Sequence, residues 1–339
     1  MAASNRQIAR TTRSASARFI VMLAVGLGII AVIAHSGAGW RPAWLQTYLL
    51  VFGSLVISAI PFVAIGAVVA SLVAVFVPMS VIQGIGRLPK LMQLPVAGLA
   101  GIAFPICECG SVPLARRLML RGLAPSAALT FMLASPIVNP VVIASTFVAY
   151  RGRGSLLFMV GGRFLFGFLV AMIVGWVAGR GKASDVLRRQ AGPEPEPVVM
   201  GRPEPRWRQF FVHVAGDFSF LARYLLLGAS VAALVQTFLP QQLIGKLAAV
   251  PVVDTIAMMG LAAILSLCSE SDAFIGASFG QMGFGASSQL AFLVFGAMFD
   301  MKLGAMYAGT FRRHTARTII VVAAVATLVL TTWLRVVSG

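Results

Sequence analysis

Two short stretches of the sequence place cysteine thiols beside carboxylates. The first, from Phe104 to Pro113, reads FPICECGSVP, and the second, from Leu267 to Phe274, reads LCSESDAF. Together they contain all three cysteines of the chain and three of its ten acidic residues. Thiolates are soft ligands that suit copper(I), zinc or thiophilic metalloids, and carboxylates bind cations or protons. If the two stretches meet in the fold, they predict a shared ligand site.

Nine polar side chains in and around these stretches are candidates for contact with a substrate. They are Cys107, Glu108, Cys109, Ser111, Asn139, Cys268, Glu270, Asp272 and Asp300, and the three cysteines are also candidate metal ligands. Six of them have a simpler interpretation. A cysteine in a membrane helix often fills space as a small apolar residue, Ser111 and Asp272 can cap helix N-termini, and Asn139 can hydrogen-bond between helices.

The helices that carry these groups are predicted to be interrupted at five residues: Pro105, Gly110, Pro113, Pro136 and Pro140. Pro105 removes a helical hydrogen bond, Gly110 permits a tight turn, and Ser111 followed by Pro113 predicts the start of a new helix. Irregular backbone at membrane depth is tolerated only where it is buried in protein or lines a wet cavity. We therefore expect the new helix to direct its positive N-terminal end at whatever occupies the break.

The composition identifies an integral membrane protein. Of the 339 residues, 59% are hydrophobic and 11% are charged, and the mean hydropathy is +0.91, whereas a soluble domain contains about 25% charged residues. The net charge of +17 would suggest nucleic-acid binding in a soluble chain, but here we attribute it to cytoplasmic loops rich in Lys and Arg. No nucleotide-binding loop, metalloprotease or serine-hydrolase pattern is present, so we predict neither enzyme activity nor a cofactor.

Apolar segments follow one another along most of the chain. They lie at 19–36, 44–77, 125–149, 155–178, 212–239, 287–310 and 316–336, with shorter pieces at 94–109 and 250–268. The expected fold is all-α, with about nine transmembrane helices of roughly 20 residues each and two re-entrant or broken-helix hairpins at the cysteine motifs. Segment 44–77 contains Pro61 and is either one kinked helix or two shorter ones. Segment 19–36 follows four arginines, so it is either a signal peptide or, as we favour, an uncleaved helix.

The two parts of the chain on either side of a charged, proline-rich linker resemble each other. Residues 107–140 align without gaps on residues 268–301, and the matched polar pairs are Cys107 with Cys268, Cys109 with Glu270, Ser111 with Asp272 and Asn139 with Asp300. This internal repeat predicts four parts: a cytoplasmic tail at 1–18, a first helix plus the first repeat at 19–179, a solvated linker at 180–211, and the second repeat at 212–339.

The distribution of basic residues decides the expected topology. If both cysteine motifs crossed the whole membrane, the basic N-terminus and the basic linker would lie on opposite sides, against the positive-inside rule. If each motif is the tip of a re-entrant hairpin, 19 of the 27 Lys and Arg residues fall in cytoplasmic segments, at 1–18, 79–93, 110–124, 180–211 and 311–317. The second arrangement is favoured, and it makes the two repeats inverted, as in many transporters with broken helices. Asp254 is then expected at the membrane interface.

Three motifs together resemble those of a known family. They are PICECGSVP at 105–113, SPIVNP at 135–140 and LCSESDAF at 267–274, and they are similar to the bacterial predicted-permease family that includes the ArsP-type organoarsenical efflux permeases. The similarity covers most of the chain except the N-terminal tail and the linker. It implies a permease, and if arsenical transport carries over, Cys107, Cys109 and Cys268 are the thiols expected to bind a trivalent arsenical.

The residues therefore predict a secondary transporter of the bacterial inner membrane with a cytoplasmic N-terminus. Its partners are the lipid bilayer and a small molecule or ion, with no nucleic acid, and a homo-oligomer is compatible with the sequence. We expect export of a thiophilic metal, metalloid or organoarsenical through the shared site, with proton exchange at Glu108, Glu270 or Asp300. Two other functions remain open: a transmembrane thiol–disulfide relay, and a non-transporting membrane subunit of a larger complex.

Overall fold

The computed structural model describes residues 42–76, 84, 89–103, 106–188, 206–238 and 253–338. Three predicted features lie outside these described residues: the tail at 1–18, the first helix at 19–36, and the helix break at Pro105. Most of the predicted linker, at 189–205, lies outside them too.

Thirteen α-helices make up the described chain. They are α1 (Ala43–Phe76), α2 (Lys90–Ala103), α3 (Glu108–Leu120), α4 (Pro125–Val138), α5 (Pro140–Ala149), α6 (Leu156–Ala178), α7 (Ala183–Val186), α8 (Arg206–Phe238), α9 (Val253–Leu265), α10 (Ser269–Phe279), α11 (Ala286–Gly296), α12 (Met301–Thr310) and α13 (Arg313–Ser338). A short 3₁₀ helix, Gly280–Met282, follows α10. The only extended pairing among the described residues is one isolated bridge, so the predicted all-α class is confirmed.

The helices of the second part of the chain follow the same order as those of the first. Helices α1 to α6 contain 34, 14, 13, 14, 10 and 23 residues, and helices α8 to α13 contain 33, 13, 11, 11, 10 and 26. The correspondence of α3 with α10 is the one that the matched cysteine motifs anticipate. Helix α1 continues through Pro61, which decides between the two interpretations of that segment in favour of one long helix.

Five segments of the described chain are long and apolar enough to cross a membrane. They are Ala43–Val69, Pro125–Ala149, Leu156–Ala178, Ala286–Thr310 and Arg313–Val336, and shorter apolar helices lie at Met92–Ala103, Ala222–Phe238 and Val253–Leu265. The protein is thus a multi-pass membrane protein, while the predicted count of about nine spans stays a prediction. In the apolar 18-residue stretch of 125–149 and of 286–310, 78% is buried inside the protein, whereas in that of 313–336 only 22% is buried. The pairs α4–α5 and α11–α12, which make up these two segments, therefore lie at the centre of the protein. Helix α13 presents apolar side chains outward, as lipid contact requires.

Contacts at the two ends of α6 position the neighbouring turns. At its C-terminal end, Gly179 packs so closely against Ser126, at the start of α4, that a Cβ on Gly179 has no room. Just before its N-terminal end, Arg153 donates a hydrogen bond to the carbonyl of Ala277, near the end of α10. The turn before α4 and the end of α10 therefore lie at opposite ends of α6.

The predicted linker is ordered at both of its ends. Helix α7 precedes Leu187, which forms an isolated antiparallel bridge with Phe311, the residue that follows α12. Both side chains of this bridge are buried. Helix α8 begins at Arg206, inside the range expected to be solvated. These two ends are therefore ordered by helix formation and by the buried pair Leu187 and Phe311, although most of their described residues are exposed, and the division of the chain at this linker stays a prediction.

The buried carboxylate of Asp254 connects the ends of three helices. Asp254, in the first turn of α9, is 1% exposed and pairs with Arg335 near the end of α13 at 2.9 Å. The same carboxylate accepts hydrogen bonds from the hydroxyl of Ser288, in α11, at 2.7 Å and from the main-chain N–H of Thr255. The interfacial position of Asp254 stays a prediction, and within the protein its partners enclose the carboxylate.

Replacing Asp254 with alanine is expected to destabilise the protein by about 2 kcal/mol. This is below the usual range for breaking a fully buried ion pair, because Arg335 is partly exposed and can find water. The melting temperature of the purified variant in detergent measures the loss. Asp185→Ala is the matched control, since Asp185 is exposed, and an equal melting temperature for both variants would contradict the assignment.

Candidate functional site

The two cysteine motifs begin two equivalent helices. Cys107 is the N-cap of α3, with extended backbone at φ −70° and ψ 170°. Cys268 is the N-cap of α10, with φ −82° and ψ 145°. Neither cysteine side chain makes the capping hydrogen bond, although the main chain of Cys109 and Gly110 interacts with the Cys107 thiol. The prediction that new helices start at these motifs is confirmed.

The predicted residues of the helix start are wrong in detail. Ser111 and Asp272 are not N-caps, because both helices begin four residues earlier than a cap at those positions requires. The Ser111 hydroxyl instead donates to the main-chain carbonyl of Glu108 at 2.9 Å, within the helix. Gly110 and Pro113 also lie inside α3, so neither interrupts it. Gly110 provides a close approach instead, since a Cβ on Gly66 of α1 would lie 2.5 Å from its Cα.

The two helix starts contact each other directly. The hydroxyl of Ser269, the first residue of α10, donates a hydrogen bond of 2.6 Å to Oε2 of Glu108, the first residue of α3. Glu108 is 2% exposed and Ser269 is fully buried. A carboxylate at a helix N-terminus is favoured by the helix dipole, which partly offsets the cost of burying Glu108. The contact joins the N-terminal ends of α3 and α10.

Lys302 is a site residue that was not among the nine candidates predicted from the sequence. Its ammonium lies 3.4 Å from Oδ2 of Asp300 and 4.0 Å from Oε1 of Glu108. It also points at the main-chain carbonyl of Leu267 at 3.4 Å. Its position in the sequence could have identified Lys302, because an ionisable residue inside an apolar span marks a functional site by default.

Arg163 is the second buried cation of the site. It is fully buried in α6 and donates to the hydroxyl of Thr146 at 2.9 Å and to the main-chain carbonyl of Ser269 at 2.8 Å. Among the charged groups around it, Asp272 interacts with it most strongly, and Glu270 and Glu108 also lie in range. Arg163 therefore ties α5 and α6 to the start of α10.

The carboxylates of the site outnumber its cations. Four acidic side chains, Glu108, Glu270, Asp272 and Asp300, surround Lys302 and Arg163, so the cluster carries a formal charge of −2 when every group is ionised. One oxygen of each carboxylate accepts no hydrogen bond from the described residues. Asp272 is 3% exposed, so its oxygen is enclosed without a donor. The arrangement can hold additional positive charge, either protons or a cation.

Asn139 and Asp300 occupy equivalent capping positions. The Asn139 side chain accepts a hydrogen bond from the N–H of Val141 at 2.9 Å and caps α5. Asp300 accepts from the N–H of Leu303 at 2.7 Å and caps α12. Pro140 is the first residue of α5 and separates it from α4, as predicted, whereas Pro136 lies inside α4 without ending it. The paired polar residues therefore mark a second pair of helix breaks.

The three cysteines lie at the edge of the charged cluster. Cys107 and Cys109 are buried, Cys268 is half-buried, and all three are free thiols. Glu108, Lys302, Glu270 and Cys107 all interact electrostatically with Cys268, so thiols of both repeats share one environment. Within the described ranges, no three His, Cys, Asp or Glu side chains are arranged to hold a metal ion. The metal assignment, like the thiol–disulfide relay, stays a prediction.

Comparison with known proteins identifies the family. A family model described as a predicted permease (ArsP_1) matches residues 44–334. The UPF0718 protein YcgR of Bacillus subtilis (strain 168) is 36% identical over 264 residues, which cover 78% of this chain and 88% of the relative. A Streptococcus mutans protein, provisionally named a two-component membrane permease complex subunit, is 30% identical over 264 residues, which cover 77% of this chain and 86% of the relative. No solved structure matches the chain. The chain therefore belongs to the ArsP_1 family of predicted permeases.

Proposed function

We propose that the protein is a secondary transporter whose substrate passes through the buried polar cluster between α3 and α10. The observation that carries this proposal is the contact of Glu108 with Ser269 and Lys302, which joins charged groups of both repeats at broken helices. Ionisable groups at membrane depth are expensive and mark substrate or ion pathways. Membership of a permease family supports transport as the use of this cluster.

We infer further that the two repeats are inverted in the membrane. The turn between α3 and α4 lies at the C-terminal end of α6, whereas the equivalent turn after α10 lies near its N-terminal end. The bridge of Leu187 with Phe311 supports a common, cytoplasmic side for the two basic segments that contain them. A rocking motion of inverted repeats about a fixed central site is then the expected transport movement. The N-terminus would be cytoplasmic in the inner membrane.

The chemistry of the cluster supports a thiophilic or cationic substrate. Cys107, Cys109 and Cys268 would supply soft ligands for a metal or metalloid, and the excess carboxylates would offset positive charge. Glu108, Glu270 and Asp300 would exchange protons against the substrate. Under this proposal the substrate is exported, and proton entry drives the export.

The test begins with the substrate. A deletion strain is grown against a panel of metals, metalloids and organoarsenicals, and any compound that inhibits it more than the parent strain is followed into everted membrane vesicles. In a variant with all three cysteines changed to serine, the flux is expected to fall by at least about tenfold, because serine oxygen is a poor ligand for soft ions. Its membrane level should equal that of the unmodified protein.

The control for this experiment retains the cysteines and removes a distant charge, as in Asp185→Asn at an exposed position of helix α7. That variant is expected to transport at the normal rate. Unchanged flux in the triple cysteine variant would exclude the thiols as ligands and leave only the carboxylates as candidates.

A second candidate function is that of a subunit in a two-component permease. The printed name of the Streptococcus mutans relative favours it, since that protein is described as part of a complex. Flux by the purified chain alone in liposomes would exclude a need for the second component. Flux that appears only after a co-purifying membrane protein is added back would establish it.

A further inference from the structure

The ammonium of Lys302 is enclosed by oxygen atoms that come from both repeats. We call this enclosure the oxygen cage, and it consists of Oε1 of Glu108, Oδ2 of Asp300 and the main-chain carbonyl oxygen of Leu267. The distances to the ammonium are 4.0, 3.4 and 3.4 Å. Lys302 is 1% exposed, so bulk water does not solvate its charge.

The cage is built by the backbone as well as by side chains. Helix α9 ends at Leu265 and α10 begins at Ser269, so the carbonyl of Leu267 lies in a break where it serves no helix. Ser266, in the same break, has φ of 49°, and its hydroxyl accepts a hydrogen bond from the N–H of Met301 at 3.2 Å. This bond holds the break against the start of α12. The main-chain part of the cage is therefore held by a contact that does not involve the lysine side chain.

Carboxylates and a free main-chain carbonyl are the oxygen ligands with which proteins bind hard cations. Here the cage already contains a cation, but one attached to the protein. Both carboxylate oxygens of the cage accept no hydrogen bond from the described residues. Their negative charge is therefore balanced by the lysine ammonium as a point charge, and a free ion of the same kind would meet the same need.

We propose that Lys302 is a tethered cation that occupies a cation-binding site, and that a free primary ammonium ion binds there when the side chain is truncated. The proposal rests on the proposed function only for its consequence, which is that the intact transporter needs no sodium or potassium ion. A lysine that served merely as packing material, with its charge incidental, would leave no specific site behind. The binding of the replacement ion separates these two roles.

The experiment uses the purified full-length Lys302→Ala variant and n-propylammonium, which supplies the three carbons and the ammonium that the substitution removes. In sodium chloride, the melting temperature of this variant is expected to fall by on the order of 10 °C, since one partner of a buried charge cluster is lost. An equal concentration of n-propylammonium chloride, about 100 mM, is expected to restore at least half of the loss. Lys302→Met fills the space without charge, so it and the unmodified protein should show no difference between the two salts.

Two results overturn the proposal. The first is an equal melting temperature of Lys302→Ala in both salts. The second is an equal rise in Lys302→Met or in the unmodified protein, since that would show a general effect of the amine. Neither readout involves transport, so a transporter with a different substrate could still pass this test, and failure here would leave the proposed function standing.

A second pair of variants covers the case in which Lys302→Ala does not accumulate. Removing the facing charge as well, in Glu108→Gln combined with Lys302→Ala, should restore the membrane level to at least half that of the unmodified protein. Lys182→Ala, at an exposed lysine, is the control for expression and should match the unmodified protein. A double variant that accumulates no better than Lys302→Ala contradicts the proposal, because it shows that the lost charge balance was not the defect.

Discussion

Replacing Glu108 with glutamine is expected to lower the transport rate by about 100-fold while the protein stays folded in the membrane. Glutamine has nearly the same shape, and its carbonyl can still accept the hydrogen bond from Ser269. What it lacks is the negative charge that faces Lys302 at 4.0 Å. Losing one member of a buried charge pair costs about 2–5 kcal/mol, and about 2.7 kcal/mol corresponds to 100-fold.

The initial rate of flux in proteoliposomes measures this effect, with the amount of inserted protein determined in the same preparation. Asp185→Asn is the matched control, because it removes one carboxylate charge from an exposed position. The gel-filtration profile of Glu108→Gln should equal that of the unmodified protein. Normal flux in this variant would show that the carboxylate is structural and that the substrate passes elsewhere.

The helix breaks of the site could be predicted because their causes are local. Proline restricts the backbone wherever it occurs, and an asparagine or aspartate before a helix is a strong N-cap signal. Pro140 was therefore predicted correctly as the break before α5, whereas Asn139 and Asp300, which cap α5 and α12, were predicted as substrate contacts and not as caps. The correspondence of Cys107 with Cys268 in the aligned motifs could be predicted too, and both residues are N-caps of corresponding helices.

The roles of Ser111 and Pro113 were mistaken because local signals compete. Both residues are typical of a helix start. However, the extended backbone of Cys107 already allows its carbonyl to accept hydrogen bonds from the N–H groups of Gly110 and Ser111. The helix therefore begins at Glu108. Pro113 is then accommodated inside α3, at the cost of one hydrogen bond to the carbonyl of Cys109. Only the tertiary packing that buries this turn decides between the two starts.

The partners of the buried charges could not be predicted from the sequence, because they come from distant parts of the chain. Arg163 donates a hydrogen bond to the main-chain carbonyl of Ser269, which lies 106 residues away. The Ser269 hydroxyl donates one to Glu108 at a separation of 161 residues. The internal repeat indicates that two motifs are equivalent, but it does not say which atoms meet across them. Lys302 has no charged equivalent in the first repeat, where Val141 occupies the matching position, so the alignment of polar pairs passed it over.

The close approach of α1 and α3 at two glycines is the feature that holds the site helix in position. Gly66 of α1 faces Gly110 of α3, and a Cβ on Gly66 would lie 2.5 Å from the Cα of Gly110. Small residues allow membrane helices to pack with their backbones in contact. Since α3 carries Glu108 and Cys109 in its first turn and Cys107 as its N-cap, any outward shift of α3 moves the site groups with it.

Replacing Gly66 with valine is expected to destabilise the protein by about 3 kcal/mol, the upper end of the usual cost of overpacking. The added side chain meets main-chain atoms, which cannot rotate away as a flexible side chain would. Gly53→Val is the matched control on the same helix, because nothing lies within 4 Å of a Cβ at Gly53. The melting temperatures of both purified variants measure the difference. If they are equal, α1 and α3 are free to separate at this crossing, and α1 does not hold the first turn of α3 against Ser269.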